Sequence, residues 1–136
     1  MVTVRLLWRG ITRRCPVCGQ GHLFRDWFNM AEKCPRCRLK FERIEGHLAG
    51  ALGINTVVSI VVVFAVGIVG FVLTYPELPL TPLVTTAVVT ATLFPILFYP
   101  FSKTVWTAID LRMRPPTPGE VADGYGQWIK ASTADF

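Results

Sequence analysis

The stretch LAGALGINTVVSIVVVFAVGIVGFVLT, Leu48 to Thr74, holds no Asp, Glu, Lys, Arg or His and is rich in Val, Ile, Leu and Phe. At ~1.5 Å of rise per residue, a helix of this length crosses a ~30 Å hydrocarbon core with some tilt. A helix buried in a soluble domain is seldom so long and so apolar on every face, so the chain reads as a membrane protein. After Tyr75-Pro76-Glu77 a second uncharged stretch begins at Leu78 and supports a span over 78–106. Pro79 and Pro82 suit its first turn, while Pro95 and Pro100 remove interior hydrogen bonds and predict a kink. Because only a short external loop, 75–77, separates the spans, they are expected to form an antiparallel hairpin.

The rest of the chain fixes the orientation. The protein has 136 residues, 51% hydrophobic and 17% charged, with a net charge of +5 and a mean hydropathy of +0.44. Ten Lys or Arg residues precede the first span, Lys103 stands near the end of the second with three more beyond it, and the loop carries only Glu77. By the positive-inside rule both termini are cytoplasmic. A chain this short, with two spans, has little room for a soluble catalytic domain. Neither span holds an ionisable residue in its core, which argues against transport through membrane charges. Small residues Gly46, Gly50 and Gly53, with Ala49, predict close helix approach within the hairpin or against a partner. Asn55 is expected to hydrogen-bond in the same setting.

All four cysteines lie before the first span, as Cys15-Pro16-Val17-Cys18 and Cys34-Pro35-Arg36-Cys37, with fifteen residues between the pairs. Two such tight turns present four thiolates to one metal ion, the spacing of a zinc ribbon, here read over 14–47. Filling all four positions with protein sulfur marks a structural zinc site. Iron in a rubredoxin-like site is the lesser alternative, since a longer connecting segment would be expected. Redox-active dithiols are the other alternative. Gly19 permits the positive φ of the first turn; Arg38 stands at the equivalent position of the second and predicts a strained or altered turn there. Arg13, Arg14, Lys33, Arg36 and Arg38 offset the negative charge of a four-thiolate site.

Leu23, Phe24, Trp27, Phe28 and Met30 are too apolar for a free loop, and part of the set is expected to cover the metal turns. Their spacing fits either a helix or a strand. Mixed with arginine they suggest a surface for lipid headgroups more than for nucleic acid. In the segment 1–13, Val4, Leu7, Trp8 and Ile11 form one face of a short amphipathic helix, lying on the membrane or packed on the ribbon. Glu42, Glu45 and His47 at the entry to the first span, with Asp110, Arg112 and Arg114 at the exit of the second, lie at one membrane surface. They are candidates for docking a partner, or for capping and ion pairing. Pro115-Pro116-Thr117-Pro118-Gly119 ends the second helix, and the cytoplasmic tail 107–136 is expected to be partly disordered, with a short helix near Val121 to Ile129.

Taken in order, Arg14-Cys15-Pro16-Val17-Cys18-Gly19-Gln20-Gly21, Leu23-Phe24, Cys34-Pro35-Arg36-Cys37, Phe41-Glu42-Arg43, Glu45-Gly46, Gly50-Ala51 and Trp106-Thr107-Ala108-Ile109-Asp110-Leu111 with Arg114-Pro115 resemble the small bacterial membrane proteins of domain-of-unknown-function family nine-eighty-three. The likeness runs from Arg13 to Pro115. It implies a cytoplasmic zinc ribbon followed by two membrane helices in a bacterial inner membrane. It also implies respiratory complexes as partners. With no catalytic constellation in the sequence, the expected role is that of an accessory or assembly factor, bound to a membrane-protein partner or a second copy of itself. A membrane-tethered thiol or electron-transfer protein is the alternative.

Overall fold

The computed structural model describes residues 2–43, 45–117, 119–125 and 127. Among them are three helices: α1 (Val2–Ile11), α2 (His47–Thr74) and α3 (Leu80–Met113). The two long helices are apolar enough, and long enough, to cross a membrane. The region of the cysteine pairs contains no strand among the described residues. It is held by turns and two isolated antiparallel bridges, Phe24 to Met30 and Lys33 to Lys40.

Helices α2 and α3 touch in reverse order along their lengths. Near the start of α2, the Trp106 ring lies on Gly50, where a Cβ would collide with it. Farther along, the Asn55 amide donates to the carbonyl of Pro95 at 3.1 Å. At the far end, Gly70 receives the Leu83 side chain. Of the other small residues, Gly46 is the N-cap of α2 at φ 91°, and Gly53 faces open space. Lengthening the side chain at position 50 must therefore push Trp106 out. Gly50→Leu is expected to cost about 1–3 kcal/mol through overpacking, seen as a lower unfolding temperature in detergent. Gly53→Leu serves as the matched control that leaves the helix pair intact.

The hydroxyls in the long helices are satisfied locally. Thr56, Ser59, Thr85, Thr86, Thr90 and Thr92 each donate to the carbonyl four residues earlier. This back-bonding hides polar atoms that a lipid environment would otherwise penalise. Helix α3 continues through Pro95 and Pro100 and on past Trp106 to Met113. Residues 107–113 of the tail are thus helical, and the helix stops just before Pro115.

Helix α1 packs beside the last turns of α3. Gly10 is the crossing point, with the Thr104 carbonyl 3.0 Å and the Ala108 Cβ 3.2 Å from where its Cβ would be. The Thr104 hydroxyl donates to the Gly10 carbonyl at 2.6 Å, and near the other end the Arg112 Nε donates to the Thr3 hydroxyl at 3.0 Å. The buried face of α1 is Leu6 and Gly10, whereas Val4, Trp8 and Ile11 are exposed. The apolar stripe legible in the sequence is therefore mostly the outer face. The face that packs is the one a missing side chain allows to come close.

Candidate metal centre

The two cysteine turns fold alike. In the first, the Gly19 N–H donates to the Cys15 carbonyl and the Cys15 N–H to the Gln20 carbonyl, both at 2.8 Å. In the second, the Arg38 N–H donates to the Cys34 carbonyl at 3.0 Å and the Cys34 N–H to the Leu39 carbonyl at 2.9 Å. Gly19 has φ 76° and Arg38 φ 59°, so both occupy the left-handed region. The arginine takes the glycine-like conformation instead of altering the turn, at the steric cost that conformation carries for a side chain.

These turns bring four sulfurs together. Cys15 Sγ lies 3.6 Å from Cys37 Sγ and Cys18 Sγ lies 3.5 Å from Cys34 Sγ. All four are within 4.8 Å of one another. Zn–S bonds of ~2.3 Å in a tetrahedron imply sulfur separations of ~3.8 Å, so the donor set fits one such ion. Cys15, Cys34 and Cys37 are buried and Cys18 is half-buried.

The electrostatics of the sulfurs point the same way. A hydrogen bond from Cys15, opposed by burial, holds the Cys37 thiol down at about 5. That same bond, together with burial, pushes Cys15 far up, and burial pushes Cys18 up to about 11. The set thus yields one thiolate readily and resists the next, because each new negative charge faces another. A cation at the centre removes that repulsion, as expected of thiolate ligands.

A small core covers the sulfurs: Val17, Leu23, Leu39 and Phe41 from the same region, Leu6 from α1, and Ala108 and Leu111 from α3. Phe24 and Met30 pack partly against it. Trp27 and Phe28 do not, since the chain makes a turn there, closed by the Arg25 N–H to the Asn29 carbonyl at 2.9 Å. Val121 and Tyr125 add cover from the C-terminal side, and the Ala122 N–H donates to the Cys37 carbonyl at 2.8 Å. The segment 119–125 is therefore docked on the second turn. The helix expected near Val121 to Ile129 is not formed over 121–125, where the chain turns; 126 and 128–136 lie outside the described residues.

Arg9 is the basic residue that serves the first turn. Its Nη1 donates to the carbonyls of Val17 at 2.8 Å and Pro16 at 3.1 Å. Burial lowers its pKa, partly offset by the nearby cysteines. The sequence points instead to Arg13, Arg14, Lys33, Arg36 and Arg38, of which Arg13 lies over the rings of Trp27 and Phe101 at 5.4 and 5.1 Å. Nothing in the local pattern marks Arg9, because its role depends on where α1 packs. Arg9→Ala removes charged hydrogen bonds from two turn carbonyls, at about 1.5–3 kcal/mol. It is expected to speed metal release to a chromogenic chelator by roughly tenfold or more.

The six residues at the mouths of α2 and α3 divide into two sets. Glu42 and Glu45 are exposed, beside Glu32, Lys40 and Arg43 in an open groove. His47 is buried with its Nε2 3.3 Å from the Thr107 hydroxyl and its ring edge-on to Trp106. Asp110 is buried 3.4 Å from Arg43. Arg43, missed as a site residue in the sequence, also binds the Glu120 carboxylate at 2.9 and 3.2 Å and the Arg114 carbonyl at 2.8 Å. Burial raises the Glu120 pKa, but Arg43 and Thr117 outweigh it and hold it below its usual value. Arg114 joins this cluster through its carbonyl, and Arg112 reaches the Thr3 hydroxyl of α1.

A four-cysteine cluster able to hold a metal ion, packed against α1 and the end of α3, together with two helices long and apolar enough to cross a membrane, defines the class of protein this chain belongs to. The chain belongs to the family described as "Protein of unknown function (DUF983)", which matches residues 24–110. The match takes in the second cysteine pair and both long helices, while Cys15 and Cys18 lie before it. No curated protein and no solved structure matches the chain.

Proposed function

We propose that this protein is an accessory or assembly factor of a membrane complex, carrying a zinc-ribbon docking module on an antiparallel transmembrane hairpin. The observation that carries this reading is the closed sulfur set, four cysteines within 4.8 Å of one another under a common core. Such a site leaves no open position for substrate and supplies folding energy to a segment too small to fold on its hydrophobic core alone. The protein lies in a bacterial inner membrane in this reading, and the charge distribution supports both termini in the cytoplasm. Of the six candidate docking residues, exposed Glu42 and Glu45 offer a surface to a partner. Asp110 and the Arg114 carbonyl hold Arg43, and with it the module, to the end of α3, while His47 joins α2 to α3 and Arg112 joins α3 to α1.

The hairpin has a face for a partner helix. A groove of about 320 Å³ between α2 and α3 is lined by Asn55, Thr56, Ser59, Val63, Phe64 and Pro95 among others. Small and polar groups of this kind are what packing between membrane helices uses. Extraction of the tagged protein from its native membrane in mild detergent, followed by mass spectrometry, tests the reading. The expected result is a defined set of membrane-complex subunits in near-stoichiometric amount. Isolation alone, with a visible iron chromophore or reversible disulfide formation, would replace it with electron transfer or thiol chemistry.

A further inference from the structure

The turn between the cysteine pairs has two sides. Leu23, Phe24 and Met30 face the sulfur core, whereas at the tip Trp27 and Phe28 remain 42% and 50% exposed. Yet the tip is fastened, and its fastenings run to α3 and to Arg13. The Trp27 Nε1 donates to the Ile96 carbonyl at 2.9 Å. The Phe28 ring lies 5.4 Å from that of Tyr99, and Lys103 Nζ is 3.4 Å from the Phe28 carbonyl. Arg13 covers Trp27 from one side.

Pro100 explains the first of these bonds. In an α-helix the Ile96 carbonyl would accept from the N–H of residue 100, which proline lacks. The indole N–H takes that place. In a lipid environment a freed carbonyl must find such a donor.

The position of Ile96 along α3 places the tip in depth. Lys103 is the first charged residue of α3, and from Leu80 to Lys103 the helix rises ~34 Å, close to one hydrocarbon thickness of ~30 Å. Ile96 lies two turns, ~10 Å, inside that level. Its neighbours Leu93 and Leu97 are more than half exposed. The tip therefore lies beside the surface that the apolar helix presents to its surroundings.

We propose that residues 25–29 form a wedge that enters the cytoplasmic leaflet, with Trp27 and Phe28 among the upper acyl chains, just below the headgroups. The partner is the bilayer itself, and the inference rests on reading α2 and α3 as membrane spans. An indole with its N–H satisfied and its ring bare suits that depth, as does a phenyl ring beside Tyr99. Arg13 and Lys103, held over aromatic rings, place positive charge at the level of anionic phosphates. The wedge fixes the metal module against the membrane and leaves its Glu42 and Glu45 side open.

The test uses the full-length protein in vesicles of phosphatidylcholine and phosphatidylglycerol whose acyl chains carry bromine, either near the head or near the methyl end. Comparing wild type with Trp27→Phe isolates the emission of Trp27. The expected result is loss of most of that emission with bromine near the head, and little loss with aqueous iodide. Quenching by iodide but not by bromolipid overturns the wedge. Phe64→Trp in the Trp27→Phe background puts a probe on an exposed site at mid-α2. Quenching of that probe by bromine near the methyl end, without quenching of Trp27, overturns the wedge alone. Failure of both overturns the spanning reading as well. Should Trp27→Phe not assemble, Phe28→Trp reports on the same tip with the same expected and contrary results.

Discussion

Cys34→Ser is expected to abolish metal binding and unfold residues 14–45 while leaving membrane insertion intact. Cys34 is 1% exposed and its sulfur stands 3.5 Å from that of Cys18. A serine hydroxyl does not ionise near neutral pH and offers a poor ligand in place of thiolate. Metal binding in modules of this size supplies about 10–16 kcal/mol, which is also their folding energy. The remaining cover, chiefly Val17, Leu23, Leu39 and Phe41, is too small to hold the fold alone. Insertion depends on the apolar length of α2 and α3, which the substitution does not touch. Metal content and limited proteolysis of membrane-embedded protein check the two halves together. Unchanged metal content would count strongly against a four-cysteine site.

The second large effect is expected at Arg43. Its side chain is 9% exposed and that of Asp110 6%, so Arg43→Ala leaves a buried carboxylate without its cation. Removing one partner of a buried pair typically costs about 3–5 kcal/mol. The same change frees Glu120, and with it the segment whose Ala122 N–H caps the Cys37 carbonyl. Amide exchange at Ala122 should therefore rise together with the loss of stability. Arg43→Lys is expected to rescue little, because a single ammonium cannot fork between Asp110, Glu120 and the Arg114 carbonyl. Adding Asp110→Asn to Arg43→Ala removes the stranded charge and should recover part of the loss. Strict additivity of the two changes would show that the pair is not coupled.

The residues that were legible in the sequence are those whose chemistry does not depend on distant neighbours. Leu48 to Thr74 reads as a long apolar helix, and the two CxxC pairs read as tight turns able to present four sulfurs to one metal. What escaped reading depends on tertiary approach. Gly10 is a poor helix former taken by itself, but its missing side chain is what lets α1 cross α3. Arg9 reaches the carbonyls of the first turn only because of where α1 packs, and Arg43 meets Asp110 and Glu120 only because the cysteine module sits on the end of α3. The apolar set around Trp27 offered helical and strand spacings at once, and the tip takes neither: it is a turn, with the indole N–H donating to a carbonyl released by Pro100. Hydropathy alone ended the second span near Trp106, although the helix persists until the prolines after Arg114.

The central claim is that four cysteines hold one zinc ion and thereby build the module that rests on the hairpin. Elemental analysis of the full-length protein purified in detergent, joined with X-ray absorption at the metal edge, tests it most directly. The account predicts a single zinc per chain in a shell of four sulfurs at ~2.3 Å. Iron in that shell, nitrogen or oxygen in place of sulfur, or a folded module without metal would contradict it.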